Sequence, residues 1–188
     1  MIKVFVISGL SGAGKDSVVD GLKEAGLDYA RVITTTTRSM RSSESPGNPY
    51  YFVSKNEFKK MIAKDEFFEW AVVYNDYYGN TKKEIEQALL VNKPVILRID
   101  AQGAATIKKK RPEAKVIFLT AGSIEEIKER LEKRGEDSPE EIKLRLAEIE
   151  KEIKTLDQWD YVIANKKGQL KETIAQVKQI IKKEFIYN

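Results

Sequence analysis

The sequence predicts an α/β fold: a five-stranded parallel sheet covered by helices on both faces, interrupted by a small mixed α/β lobe. Three observations carry that expectation. Short apolar runs alternate with segments of helical periodicity, the pattern of repeated βα units. The first run, Val4-Phe5-Val6-Ile7, leads into the glycine-rich Gly9-Leu10-Ser11-Gly12-Ala13-Gly14-Lys15-Asp16-Ser17 and then into a helix. Between Thr34 and Thr81 the alternation gives way to polar, turn-rich and aromatic stretches that do not fit a core unit.

Taken in order, the first strand is followed by a helix from Lys15 to Ala25, with Val18, Val19 and Leu22 at helical spacing and Gly26 closing it. Tyr29 to Thr34 reads as the second strand. Thr34-Thr35-Thr36-Thr37-Arg38-Ser39-Met40-Arg41 and Ser42-Ser43-Glu44-Ser45-Pro46-Gly47-Asn48-Pro49 then open the inserted lobe. Tyr50-Tyr51-Phe52-Val53 resumes a strand, and Ser54 with Glu57 makes a capping box for a helix through Ala63. Phe67 to Val73 reads as a strand carrying Glu69, Tyr77-Tyr78-Gly79-Asn80 as a turn, and Thr81 with Glu84 as the cap of a helix to about Val91.

The core resumes with the strand Val95 to Asp100, a helix from Ala101 to Lys110 and the buried strand Lys115 to Leu119. Ser123 with Glu126 starts a charged helix ending near Arg134-Gly135. Ser138-Pro139-Glu140-Glu141 is a second capping box, with Pro at the first helical position, launching a helix to about Leu156. Tyr161 to Ala164 is the fifth core strand, and Leu170 to Phe185 the closing helix. Ligands of such a sheet gather at the carboxyl ends of its strands.

Composition narrows the chemistry. The 188 residues suit one compact core with smaller appendages, and 41% hydrophobic with 33% charged residues is a globular balance. With no cysteine and no histidine, thiol catalysis, disulfides, imidazole bases and His- or Cys-ligated metals are excluded. Any metal must sit on oxygen ligands and phosphates, which points to Mg²⁺. The net charge of +4 comes from 33 basic and 29 acidic residues, too balanced to argue for a nucleic-acid partner. No apolar run approaches the roughly 20 residues needed to span a bilayer, and Met1-Ile2-Lys3-Val4 has no signal-peptide layout, so the expected location is cytoplasmic.

Gly9 to Lys15 matches G-x-x-x-x-G-K in its required setting, between a strand and a helix start. The glycines allow backbone N–H groups to turn on an anion, the helix dipole adds to the attraction, and Lys15 would reach the outer phosphates. One position departs from the pattern. Asp16 stands where a Ser or Thr hydroxyl would meet Mg²⁺, and Ser17 is about 100° further round the helix. On the inserted lobe, Arg38 and Arg41 with the Tyr50 and Tyr78 hydroxyls could hold a phosphate dianion. Glu69, an acid embedded in a strand of the same lobe, could accept a pair of adjacent hydrogen-bond donors.

Together, Gly9 to Lys15, Thr36-Thr37-Arg38-x-x-Arg41, Tyr50-Tyr51-Phe52-Val53, Phe68-Glu69-Trp70, Tyr77-Tyr78-Gly79, Ile99-Asp100-x-Gln102-Gly103, Arg130-Leu131-x-x-Arg134-Gly135 and Asn165 resemble a guanylate kinase over nearly the whole chain. The resemblance implies a P-loop kinase fold and transfer of the ATP γ-phosphoryl group to GMP or dGMP, with Mg²⁺ as cofactor. It implies a single domain over 1–188: core in 1–33, 82–122 and 157–188, a GMP-binding lobe in 34–81, and a helical lid with its flanks in 123–156. It implies Lys15, Arg130, Arg134 and Arg145 as catalytic cations. Ser11, Gly12, Ala13, Gly14, Lys15, Asp16, Ser17 and Asn165 would contact ATP. Thr34, Arg38, Arg41, Tyr50, Glu69, Tyr78, Asn80 and Asp100 would contact GMP, and Asp16 and Asp100 would hold the metal, partly through water. No nucleic acid or membrane is expected as a partner.

The family pattern breaks at Asp16, at Arg98, where the family usually has the first of two acids ending in Asp100, and at Asn80, where it has a small hydroxyl residue. The first two suggest one exchange of polarity, with Asp16 and Arg98 forming a salt bridge beside the nucleotide. Two alternatives stay open at this point. The Gly-Lys-Asp-Ser run also resembles the loop of ribose 1,5-bisphosphokinases, and a guanylate-kinase-like domain could bind a phosphorylated partner without catalysis.

Overall fold

The computed structural model describes residues 3–42, 44–73, 75–135 and 137–186; positions 1, 2, 43, 74, 136, 187 and 188 of the expected single domain lie outside them. The apolar run at the start forms β1 (Val4–Gly9), buried along its whole length. It is followed by α1 (Lys15–Glu24) and the short β2 (Ala30–Arg31). The next stretch contains β3 (Thr34–Thr36), β4 (Ser45–Pro46), β5 (Pro49–Phe52), α2 (Lys55–Ala63), β6 (Phe67–Val73) and β7 (Asp76–Thr81). Then come α3 (Lys82–Leu90), β8 (Val95–Arg98), α4 (Ala101–Lys110), β9 (Lys115–Thr120), α5 (Ile124–Arg134) and α6 (Pro139–Ile153). A 3₁₀ turn at Leu156–Gln158, β10 (Tyr161–Ala164) and α7 (Leu170–Ile186) complete the chain.

Two sheets result. The core sheet has the order β10-β9-β1-β8-β2 with every pairing parallel, as the uninterrupted apolar strands require. It is the P-loop kinase arrangement expected, with the loop after β1 at the carboxyl edge of the central strand. The second sheet, β4-β5-β3-β7-β6, is mixed: β3 runs parallel to β5 and antiparallel to β7. The capping boxes at Ser54 and Ser138 both form, each side chain meeting the backbone N–H of the Glu three residues on. In the core, Phe118 stacks on Trp159 at 5.3 Å between ring centroids.

Three expectations are corrected. Tyr29 to Thr34 is not one strand: Ala30–Arg31 pairs with β8 in the core, whereas Thr34–Thr36 begins the lobe sheet. Tyr77-Tyr78-Gly79-Asn80 is not a turn but the middle of β7, antiparallel to β6. Gly79 is needed there for close packing, since a Cβ would lie 2.8 Å from the Phe67 ring and 2.9 Å from Trp70 Cβ. The reversal falls instead near Asn75, whose φ of 69° is a left-handed conformation that Asn tolerates. Finally, α6 stops at Ile153 rather than Leu156, because its end tightens into i→i+3 bonds from Lys154 N to Lys151 O and Thr155 N to Glu152 O.

Candidate active site

The phosphate loop is held by its neighbours. Gly9 has φ 147°, and a Cβ there would lie 2.3 Å from the Leu119 carbonyl oxygen, so only glycine lets β1 leave the sheet beside β9. The Gly12 carbonyl accepts from Arg130 Nη1 at 3.3 Å and the Ala13 carbonyl from Asn165 Nδ2 at 2.8 Å, which fixes the peptide planes of the loop. Gly14, at φ 88°, is the N-cap of α1 and supplies no side-chain cap. The first turn of α1 therefore keeps N–H donors for an anion. Lys15 folds back to donate to the Gly9 and Leu10 carbonyls at 2.6 and 3.0 Å. Burial lowers its pKa to about 8; Glu152 and Asp100 oppose that shift, while Arg98 and Arg145 add to it.

Opposite the loop stands the lobe. Glu69 shares the inward face of β6 with Phe67 and Ala71 and is 4% exposed. Its Oε1 accepts from Asn80 Nδ2 at 2.6 Å, and Asn80 Oδ1 accepts from Thr34 Oγ1 at 3.0 Å. Burial raises the Glu69 pKa to about 7 against the opposing bond from Asn80. Arg38 lies 5.4 Å over the Tyr50 ring and forms bonds of 2.7 and 3.0 Å to Glu44. Glu44 also accepts from the Arg41 backbone N–H at 2.8 Å. Tyr50 and Tyr78 meet edge to face at 5.9 Å, and burial pushes the Tyr50 hydroxyl well above its usual pKa.

A third group comes from α5 and α6. Asp137, in the link between them, pairs with both Arg134 and Arg145. Burial alone would raise its pKa, but the Arg134 hydrogen bond and both guanidiniums hold it below the usual carboxylate range. Arg145 also donates to Ser11 Oγ at 3.1 Å, and Arg130 to the Asn165 carbonyl at 2.6 Å. Arg130 and Arg145 thus reach the phosphate loop directly.

One cleft of about 360 Å³ joins these groups, and every sequence-predicted site residue lines it except Ala13, Asn80 and Asn165. Those three sit behind the lining. Ala13 is fully buried, Asn80 braces Glu69, and the Asn165 side chain spans the Ala13 carbonyl and Thr173 Oγ1. Asp16 and Arg98 form an ion pair, as the exchanged polarity suggests. Asp100 caps α4, its Oδ1 accepting from Gln102 N at 2.7 Å and Gly103 N at 3.0 Å. Sequence reasoning did not find Glu152, which lines the cleft and whose pKa burial raises to about 7. Nor did it find Glu44 or Asp137. Each is one acid among many in charged or polar stretches, and only tertiary placement sets it apart.

Among the described residues no group of three or more carboxylates forms a metal cage. The donors on offer, Asp16 and Asp100 in the same cleft, suit a hard cation that takes most of its ligands from phosphates and water.

Comparison with known proteins agrees with this geometry. The guanylate kinase family model matches residues 1–184. Guanylate kinase of Pseudoalteromonas translucida is 41% identical over 162 residues, covering 86% of this chain and 79% of that protein. Guanylate kinase of Carboxydothermus hydrogenoformans is 43% identical over 160 residues, covering 85% and 78%. The crystal structure of guanylate kinase from Anaplasma phagocytophilum superposes with a TM-score of 0.80 at 27% identity, covering 98% of this chain and 87% of that one. Neither the sugar-phosphate kinase nor the non-catalytic alternative is favoured by these matches. With a family match across nearly its whole length and a cleft that puts a phosphate loop opposite a buried Glu and paired Arg and Tyr, the chain belongs to the guanylate kinase family.

Proposed function

We propose that this protein transfers the γ-phosphoryl group of ATP to GMP, giving ADP and GDP. The observation that carries this reading is the single cleft with the uncapped α1 terminus and Lys15 on one side and Glu69 with Arg38 and Tyr50 on the other. The loop amides and Lys15 take the donor phosphates. Arg38, Arg41, Tyr50 and Tyr78 take the acceptor phosphate, Glu69 reads the guanine N1–H and N2–H₂, and Asp100 takes part on the acceptor side. Residues 34–81 act as the acceptor lobe and 123–156 as a lid, with the core in 1–33, 82–122 and 157–188. Asn80 holds Glu69 in place, and Asn165 acts on the donor side by fixing the loop. ³¹P NMR of the protein with ATP and GMP tests the reaction: equimolar ADP and GDP are expected, and ADP with free phosphate but no GDP would overturn it.

The chemistry asks for little covalent help. The acceptor phosphate has its second pKa near 6 and is largely a dianion at neutral pH, so no general base is required. Catalysis is positioning plus neutralisation of the charge spread over the transferring group, for which Lys15, Arg130, Arg134 and Arg145 line the same cleft. Asp16 and Asp100 would hold Mg²⁺, which would supply further neutralisation of the charge on the transferring group. The cytoplasmic location expected from the sequence is part of the same proposal. Among the described residues no helix is long and apolar enough to cross a membrane.

Two expected results follow from the site. Asp137 touches no nucleotide in this scheme but orients two cations that do. Asp137→Asn should lower kcat about tenfold while leaving the GMP KM within a factor of about two, on the scale of lost charge-assisted bonds; steady-state kinetics with each substrate varied shows the split.

The second concerns pH. With burial raising the Glu69 pKa to about 7, GMP must displace a proton to use the carboxylate, so its affinity should rise with pH. At pH 6 only about a tenth of Glu69 is ionised, giving roughly tenfold weaker binding than at pH 8. Calorimetric titration of wild type and Glu69→Gln isolates this contribution from that of the GMP phosphate, which both proteins share.

A further inference from the structure

We propose that Arg98 is an additional phosphate-binding residue of this cleft, gripping the acceptor phosphate from the loop side, with Asp16 as its positioning partner. The inference rests on the reading above, that the cleft takes a nucleoside monophosphate. Arg98 ends β8, in register with Ile7 of β1, so its side chain starts beside the strand that feeds the phosphate loop. It lines the cleft yet is only 6% exposed. Its guanidinium lies 4.4 Å over the Tyr50 ring, the ring whose hydroxyl is placed on the acceptor phosphate, and it pairs with Asp16, the residue after Lys15. One planar cation therefore bridges the donor loop and the acceptor-side aromatic, where the phosphoryl group must cross.

The charge balance points the same way. Asp16 is 56% exposed, so solvent screens the carboxylate that pairs with this almost wholly buried guanidinium. The seven Lys and Arg side chains that line the cleft outnumber its four carboxylates, Asp16, Glu69, Asp100 and Glu152. A dianionic phosphate in the cleft supplies the missing counter-charge, and the fork of a guanidinium suits two of its oxygens at once.

The test compares wild type with Asp16→Asn, Arg98→Gln and the double variant. It uses titration calorimetry of GMP and of guanosine without ATP or Mg²⁺, together with thermal midpoints. Asp16→Asn strands a buried cation and should lower the midpoint, and the double variant should recover it. Arg98→Gln should weaken GMP binding by about 10–100-fold, the loss expected for charge-assisted bonds to phosphate, and leave guanosine binding unchanged. The double variant should bind GMP as weakly as Arg98→Gln although its midpoint is restored. GMP binding within twofold of wild type in Arg98→Gln, or recovery of affinity along with the midpoint in the double variant, would show a purely structural pair and overturn the inference. A wild-type protein that binds no GMP would instead bring down the functional reading, and the inference with it.

Discussion

Lys15→Met is expected to lower kcat by about 10²–10³-fold, the scale of losing one preorganised cation at developing phosphate charge. The Lys15 ammonium rests on the Gly9 and Leu10 carbonyls. It is already desolvated, with its pKa drawn down to about 8. A triphosphate replaces two weak carbonyl partners with full negative charge and restores the ammonium. Methionine keeps most of the volume and removes the charge with its two carbonyl bonds, and a buried ammonium no longer has to be desolvated, so the fold should persist while turnover falls.

Linkage gives that variant a second signature. The folded-state pKa of Lys15 lies below the ordinary lysine value of 10.5, so folding is penalised while the side chain is protonated. That penalty is fully present below pH 8 and is relieved as the pH climbs from about 8 towards 10.5. Wild type should therefore gain stability relative to Lys15→Met across that window. A stability difference that does not change with pH would contradict the burial argument.

Glu69→Gln is expected to cut kcat/KM for GMP by about 10³–10⁴-fold, the range seen when a buried polar match becomes a mismatch. The carboxylate offers two acceptors to the guanine N1–H and N2–H₂, whereas a glutamine offers one acceptor and turns a donor towards a donor. Folding should not suffer. Asn80 Nδ2 can still donate to the remaining carbonyl oxygen, and the variant loses a carboxylate that burial already disfavours. A variant that unfolds, or that loses ATP affinity as much as GMP turnover, would argue that Glu69 is a packing residue.

How much of this was visible in the sequence depends on what kind of signal each residue carries. The phosphate loop was legible because glycine spacing, the preceding strand and Lys15 all point to one backbone shape. The capping boxes at Ser54 and Ser138 were legible because they are local contacts. The Asp16–Arg98 pair was legible only because two departures from one pattern had complementary charge.

β7 was misread because Gly79-Asn80 has the punctuation of a turn; the need for glycine comes from Phe67 and Trp70 on the neighbouring strand. The division of Tyr29 to Thr34 between two sheets was hidden for a similar reason, since pairing partners lie far along the chain. Asn80 and Asn165 were identified as site residues, but nothing local shows that one braces Glu69 and the other the loop. Glu152 lies on a helix of alternating Lys and Glu, where an acid facing the cleft looks like one facing water.

The central claim is that the lobe selects a guanine nucleotide as acceptor for the ATP phosphoryl group. A coupled assay of ADP formation tests it most directly, run at one Mg²⁺ concentration with GMP, dGMP, IMP, AMP and ribose 1,5-bisphosphate side by side. Turnover should be largest with GMP and dGMP, weaker with IMP, which lacks the N2 amino group, and lower by about 10⁴-fold with AMP. Equal rates with AMP, or a preference for the sugar bisphosphate, would contradict it.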